Sequence, residues 1–545
     1  MTVKGQILRS ASVIATITLI SRVLGYLRDQ RIALLLGTSP AADSLILAFR
    51  IPSLIRRMTA EGSLGASFIP LFSKYLRDRP REQAWDFARR VFWDTAILLA
   101  ILALLGIVCS RQVIGIYTLF GSKQAHWGLA ISLNRIIFPS IFFMGLAALA
   151  AAMLNSFHVF GIPAAGSIFF NLSIIAFSLA FLYRPIMGLL PESAKNPATV
   201  LAIGILVGTF FQFAIQAPSL LRRGMKFLPP MVSVQDEGVR QFGRLMGPSF
   251  FGMGVYQINL FVDTIFATSS RMPSGSVTSL YVADRVMQLV LGSYAVAVST
   301  VILPTMSQQL AAGELQEMKR TFGFALRIVS FITIPAAVGL ILLRRPIVQV
   351  LFQHGRFAAE STLLTANALL FYAVGLPAFA AIKLISPMYY SANDTATPAR
   401  IGAYALACNV VLNAAFLLLA FRYLSNGSPA LASSLAAYFN FVLLFIFFRR
   451  RYGGLGTRAL AVPIGKMAVC AAAMAMMSYA ALRFSGFEGI RHLALQVGLL
   501  TAMLALSVGV YFGVAWILRC EELAEFRMLL RRAERVRAPA AEVGL

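Results

Sequence analysis

Charged side chains sit where the sequence should tolerate them least, inside its long apolar runs. Arg22, Arg28 and Asp29 interrupt the first run, and Asp43, Arg50, Arg56, Arg57 and Glu61 crowd the second. Asp263 lies in a later run, and Asp284 with Arg285 in the one after it. An arginine at the centre of a bilayer costs about 2.5–3.5 kcal/mol on insertion scales, so charge at that depth is expected to face water, a ligand or a partner. Guanidinium stays charged at any physiological pH and offers a rigid fork of donors that matches phosphate oxygens. Several together suit a polyanionic head group, above all a phosphate or diphosphate. The alternative for the same residues is that they snorkel to the interface or lock helices together through Asp and Glu.

Spacing narrows the geometry. Asp43, Arg50 and Arg57 recur at seven-residue intervals, which on an ideal helix drift by only about 20° per step and so keep to one face. Arg56 lies off that stripe. Glu61 follows Arg57 four residues on and is in reach to pair with it. Pro52 can kink the helix, and Gly25, between Arg22 and Arg28, permits a bend that would turn both inward.

The elements that must carry these residues are membrane helices. Hydrophobic residues make up 58% of the 545 and charged residues 13%, with a mean hydropathy of +0.76. Soluble domains carry about 25% charged residues. Apolar runs of roughly 20 residues, enough to cross a hydrocarbon core of about 30 Å, recur from end to end. They predict about fourteen spans: 8–36, 43–72, 91–109, 129–155, 164–183, 198–220, 245–268, 276–307, 323–343, 361–390, 398–421, 429–448, 462–482 and 493–518. The first reads as a retained helix, since Arg22 interrupts it and no small-residue cleavage site follows. Basic residues cluster in alternate loops, at Lys74–Arg81, Arg222–Lys226, Lys319–Arg320 and Arg449–Arg451, and in the tail Arg527–Arg537. The positive-inside rule then places both termini in the cytoplasm. It also explains the net charge of +26 without nucleic acid. Cys109, Cys408, Cys470 and Cys520 form no CxxC pair, so neither a disulfide framework nor a zinc site is indicated. No GxxxxGK[ST] loop is present, so the chain is not its own ATPase.

The two halves of the sequence match at an offset of about 235 residues. Ser44, Leu45, Ala48 and Arg50 align with Ser279, Leu280, Ala283 and Arg285, and Pro70 with Pro304 across one gap. Gly106 and Arg111 align with Gly339 and Arg344, Gly121 with Gly355, and Pro163 with Pro398. Six spans per repeat give both halves the same orientation, hence parallel repeats with a substrate site expected between them. The expected architecture is an all-α integral membrane protein with two six-helix lobes, 1–225 and 226–452. A C-terminal helix pair, 453–520, and a basic cytoplasmic tail, 521–545, complete it.

Several stretches resemble the lipid II flippase family, MurJ (formerly MviN), of the multidrug/oligosaccharidyl-lipid/polysaccharide exporter superfamily. They are SRVLGYLRD (Ser21–Asp29), AADSLILAFRIPSLIRRMTAEGSLGASFIPLF (Ala41–Phe72), LYVADR (Leu280–Arg285), LFQHGRF (Leu351–Phe357) and PMYYSANDTATP (Pro387–Pro398). The resemblance covers essentially the whole chain. It implies a transporter, not an enzyme, that moves undecaprenyl-diphosphate disaccharide-pentapeptide (lipid II) from the cytoplasmic to the periplasmic leaflet of the bacterial inner membrane for peptidoglycan synthesis. By position, it puts the family's cavity arginines on Arg22, Arg28, Arg56 and Arg285 and its important acid on Asp43, with the final helix pair forming a groove for the polyprenyl tail. Arg50 stands where lysine is expected in many relatives, and the charge is kept. Some relatives use sodium between the seventh and eleventh helices; Asp263 and Asp394 are then the candidate ligands, although Asp394 in SANDTATP also reads as a turn residue. Alternating access would move the head group, with coupling to the membrane potential or to a cation. The competing readings are a flippase for another undecaprenyl-diphosphate-linked oligosaccharide, a small-molecule antiporter, and a non-transporting scaffold. Deep arginines argue against the last two.

Overall fold

The computed structural model describes residues 3–58, 64–119, 127–183, 195–228, 237–252, 255–392, 394–490 and 492–524, and no strand occurs among them. They fold into two compact units.

The first unit spans residues 1–278 together with 352–361. It holds α1 (Val3–Leu36), α2 (Pro40–Met58), α3 (Leu64–Asp78), α4 (Arg81–Val108), α5 (Ser110–Gly115), α6 (Trp127–Ile137) and α7 (Ser140–Ser156). α8 (Gly161–Leu182), α9 (Pro197–Ala214), α10 (Ala217–Leu221), α11 (Glu237–Gly252) and α12 (Val255–Ala267) follow. Proline sets several of these limits. Pro139 separates α6 from α7 because a proline ring blocks the preceding turn and donates no hydrogen bond. Pro197 opens α9 at the one helical turn where its missing N–H is harmless, and Asn196 caps that end by accepting from the Ala198 N–H at 2.9 Å. One aromatic core packs Phe68, Phe72, Trp85 and Phe87 from α3 and α4 against Phe242 of α11. A second, aliphatic core joins Leu35, Leu45, Ile174 and Leu201 from α1, α2, α8 and α9.

The second unit spans residues 279–351 and 362–545. Its helices are α13 (Ser276–Ala311, which begins in the first unit), α14 (Leu315–Leu342), α15 (Arg344–Phe352), α16 (Ala359–Ser391), α17 (Ala396–Ala415) and α18 (Phe421–Leu424). α19 (Ser428–Tyr452), α20 (Thr457–Phe484) and α21 (Leu493–Ile517) complete it. A π-helical stretch, Phe416–Ala420, links α17 to α18. The final pair packs on α14: Tyr511 donates its hydroxyl to the Phe331 carbonyl at 2.8 Å, and Ser478 and Ser507 join α20 to α21 at 2.7 Å. An apolar cavity of about 500 Å³ opens beside that contact among Val286, Phe331, Leu340, Met474, Leu504 and Tyr511.

Among the described residues, nine helical segments are long and apolar enough to cross a membrane. α2 is not one of them, and its 19 residues include Asp43, Arg50, Arg56 and Arg57. Within the expected span 43–72 the described residues are helical up to Met58 in α2 and from Leu64 in α3. Glu61 falls between them, outside the described residues. The limits of the units also differ from the sequence halves, because α11 packs on α3 and α12 on α2, which places the stretch up to Thr278 with the first unit.

The repeat nevertheless has local counterparts. α4 and α14 are each 28 residues long, and each is followed after a single residue by a short helix, α5 or α15. α8 and α17 each carry proline as their third residue, Pro163 and Pro398. Leu45 and Ala48 are 1% and 0% exposed, and their sequence partners Leu280 and Ala283 3% and 0%.

Candidate functional site

On α1, Arg22 is exposed beside Leu19 and Val23, which are exposed as well. Arg28, one and a half turns on, is nearly buried, its side chain 11% exposed. Its Nε and Nη2 donate to one Asp29 oxygen at 3.0 and 2.7 Å, and its Nη1 donates to Asn171 Oδ1 on α8 at 3.0 Å. The Phe170 ring lies under the guanidinium, 5.6 Å from its carbon. Arg28 is therefore held on two edges and one face.

The seven-residue stripe on α2 meets α12 and the turn that leads from it into α13. Asp43 accepts from the Gly275 N–H at 2.8 Å and from the Thr278 N–H and hydroxyl at 2.8 and 2.7 Å. Arg50 Nε donates to Thr264 Oγ1 at 2.9 Å, and Arg57 Nη1 donates to Gln257 Oε1 at 3.2 Å. The partners run backwards as the stripe runs forwards, so α2 and α12 are antiparallel and share a polar seam. Asp43 supplies what the first N–H groups of α13 lack, an acceptor at a helix N-terminus. The expected common face is present; its side chains meet protein donors and acceptors from 255–278. Arg56 is half-buried on the neighbouring face of α2.

Two turns fix the Asp43 end. Gly275 has φ +85°, and a Cβ there would lie 2.1 Å from the Thr38 carbonyl oxygen. Gly355 has φ +60°, and its Cβ would lie 2.6 Å from the Leu34 carbonyl oxygen, which accepts the Arg356 N–H at 2.9 Å. Only glycine fits such a close, left-handed turn. The LFQHGRF stretch thus packs on the α1–α2 connection, where Thr38 and Ser361 hydroxyls meet at 2.8 Å.

In the second unit, Arg285 Nη2 donates to the Tyr281 hydroxyl at 3.1 Å and its guanidinium carbon lies 4.9 Å from that ring. Asp284, 6% exposed, receives Gln288 Nε2 at 3.4 Å. Asp263 on α12 is 1% exposed. Asp394 accepts from the Thr397 N–H and hydroxyl at 2.9 and 2.8 Å and from Arg451 at 2.6 Å. It serves as the turn and cap residue at the start of α17. Because a guanidinium already neutralises its Oδ2, its surroundings do not suit a sodium ligand.

The positioning partners Asn171, Thr264, Gln257 and Tyr281 were not singled out in the sequence. A signal existed for Asn171, an amide inside the apolar run 164–183, where a polar side chain needs a reason.

A model of the lipid II flippase MurJ family matches residues 32–498. The chain belongs to that family. It is 34% identical over 453 residues to a probable lipid II flippase MurJ of Vibrio cholerae, covering 82% of this chain and 83% of the relative. A solved lipid II flippase MurJ in an inward closed conformation superposes with a TM-score of 0.75 at 24% identity, covering 93% of this chain and 98% of that one. An inward-facing multidrug resistance MATE family transporter of the MOP superfamily superposes at 0.65 and 16% identity, covering 82% and 98%. At those identities the two structures speak for the fold, an all-α transporter fold, and the sequence relatives carry the family.

Proposed function

We propose that this MurJ family member is a flippase that carries lipid II from the cytoplasmic to the periplasmic leaflet of the bacterial inner membrane, supplying peptidoglycan synthesis. It is a multi-pass transporter and catalyses no covalent step. Family membership over most of the chain carries this reading, and arginines on apolar helices, Arg22 exposed and Arg28, Arg56 and Arg285 half-buried, supply the chemistry it needs. A diphosphate bears charge that a bilayer rejects, and guanidinium groups offer it paired donors in place of water.

In this reading both termini are cytoplasmic, the head group moves by alternating access, and Arg22, Arg28, Arg56 and Arg285 bind it. Arg50, Arg57 and Asp284 are further candidates for the same task, and Asp43 holds the turn at Gly275–Thr278. The head group passes through that polar path while the polyprenyl tail stays in hydrocarbon. Burying a methylene is worth about 0.8 kcal/mol, so the tail needs an apolar route. The cavity between α13, α14 and the final pair is lined almost wholly by aliphatic and aromatic side chains and supports that assignment. Moving net charge with the substrate couples transport to the membrane potential, at about 2.3 kcal/mol per charge per 100 mV. Sodium is the alternative coupling ion; Asp263 would be its acid, Asp394 being committed to Thr397 and Arg451.

The test is depletion of the host's own flippase with this chain as the sole replacement. Growth with normal lipid-linked precursor pools is expected. Accumulation of lipid II despite stable expression would reject the assignment, and accumulation of a different lipid-linked oligosaccharide on deleting this chain from its own host would favour the related substrate class.

A further inference from the structure

Asn171 occupies an unusual position on α8. It is 5% exposed, and its amide binds two partners of opposite kind on α1. Its oxygen accepts from Arg28 Nη1 at 3.0 Å, and its nitrogen donates to the Ser21 carbonyl at 3.1 Å. A guanidinium only donates and a carbonyl only accepts, so this one amide orientation satisfies both. Gly25 lies between the two partners, and a Cβ there would sit 3.6 Å from Asn171 Nδ2. The amide therefore spans the α1 segment that carries Arg22 and Arg28. Phe170, its chain neighbour, supports the face of the same guanidinium, and Asp29 holds the opposite edge. Three of the five Arg28 N–H groups are used in this frame, which leaves two for a ligand in a fixed direction.

We propose that Asn171 is a positioning residue for the diphosphate: it fixes the plane of Arg28 and the local course of α1 so that the remaining guanidinium donors are preset for phosphate oxygens. The proposal rests on the reading of Arg28 as a substrate contact. Preorganisation of this kind raises affinity by removing the cost of ordering a long side chain when the ligand arrives. Asn171 is neutral for a reason. A carboxylate there would hold Arg28 between two anions and repel the substrate, whereas an amide orients the cation and leaves its charge available.

The experiment is a double-mutant cycle on the full-length protein in detergent, using a water-soluble lipid II analogue with a short prenyl chain as the probe. Affinity and melting temperature are read for wild type, Asn171→Ala, Arg28→Ala and the double variant. Asn171→Ala is expected to weaken binding about tenfold, the size of one lost hydrogen bond to a charged group, and to have no further effect in the Arg28→Ala background. Asn171→Asp is expected to bind the analogue more weakly than Asn171→Ala while melting no lower than it, a combination that simple helix packing would not produce. It also serves if the alanine variant is not recovered folded. Equal weakening in both backgrounds, or unchanged affinity in Asn171→Ala or Asn171→Asp, overturns the proposal. Unchanged affinity in Arg28→Ala alone instead removes the arginine reading on which it rests, and the positioning role falls with it.

Discussion

Arg28 and Asp394 show how charge is accommodated one residue at a time. Arg28 is nearly buried and is held between Asp29, Asn171 and Phe170. Replacing Arg22, Arg28, Arg56 or Arg285 by alanine is expected to abolish complementation of a flippase-depleted strain while the protein remains in the membrane, as read by growth and immunoblot. Lysine should rescue incompletely, since it keeps the charge and loses the bidentate fork. Active alanine variants would remove these residues from the site. Asp394 behaves differently. Burial alone would raise its carboxyl, but the Thr397 N–H and hydroxyl and the Arg451 guanidinium outweigh that and hold it below the ordinary carboxylate range. A depressed native pKa contributes stability that is present above the unfolded value of about 3.9 and is lost as pH falls through the native value. Asp394→Asn should therefore melt lower than wild type at pH 7, with the gap closing as the pH drops below about 4. A gap that persists unchanged at low pH would mean the ion pair and cap are not its source.

At the scale of elements, the α2–α12 seam marks what the sequence could and could not convey. The seven-residue spacing of Asp43, Arg50 and Arg57 placed them on one helix face, and they do share one. Periodicity says nothing of what lies opposite, and Thr264 and Gln257 are ordinary helix residues until α12 is laid antiparallel to α2. The start of α9 was legible to within a residue, the expected span beginning at 198, whereas Pro139, which divides the expected span 129–155 into α6 and α7, was not read as a limit. The compact units divide the chain differently from the sequence repeat, since repeat alignment records ancestry while packing of α11 on α3 and α12 on α2 decides the compact unit. Thr264→Val removes the acceptor of Arg50 Nε and is expected to cost about 1–3 kcal/mol of stability, measured by thermal or denaturant unfolding; an unaltered protein would mean the seam contributes nothing. The final pair braces α14 through Tyr511 and also borders the apolar cavity, so the two roles are compatible. Leu504→Trp, which narrows the cavity, should block flipping while the soluble analogue still binds. Normal flipping in that variant would leave bracing as the pair's whole role.

Over the whole molecule, the claim is that a chain built largely of apolar helices carries a diphosphate through a path lined by guanidinium groups. The parallel-repeat reading belongs to this scale: an experimental structure should let residues 1–220 and 240–450 superpose in chain order about an axis along the membrane normal, with Arg50 and Arg285 equivalent. An inverted relationship would refute it. The most direct measurement is of transport itself. Purified protein is reconstituted into liposomes containing fluorescent lipid II, and the fraction reachable by an externally added, membrane-impermeant lipid II-modifying enzyme is followed with and without a membrane potential. The account predicts that wild type exposes the inner-leaflet pool and that Arg28→Ala, equally well incorporated, does not. Equal exposure by both proteins, or none above protein-free liposomes under either condition, would contradict it.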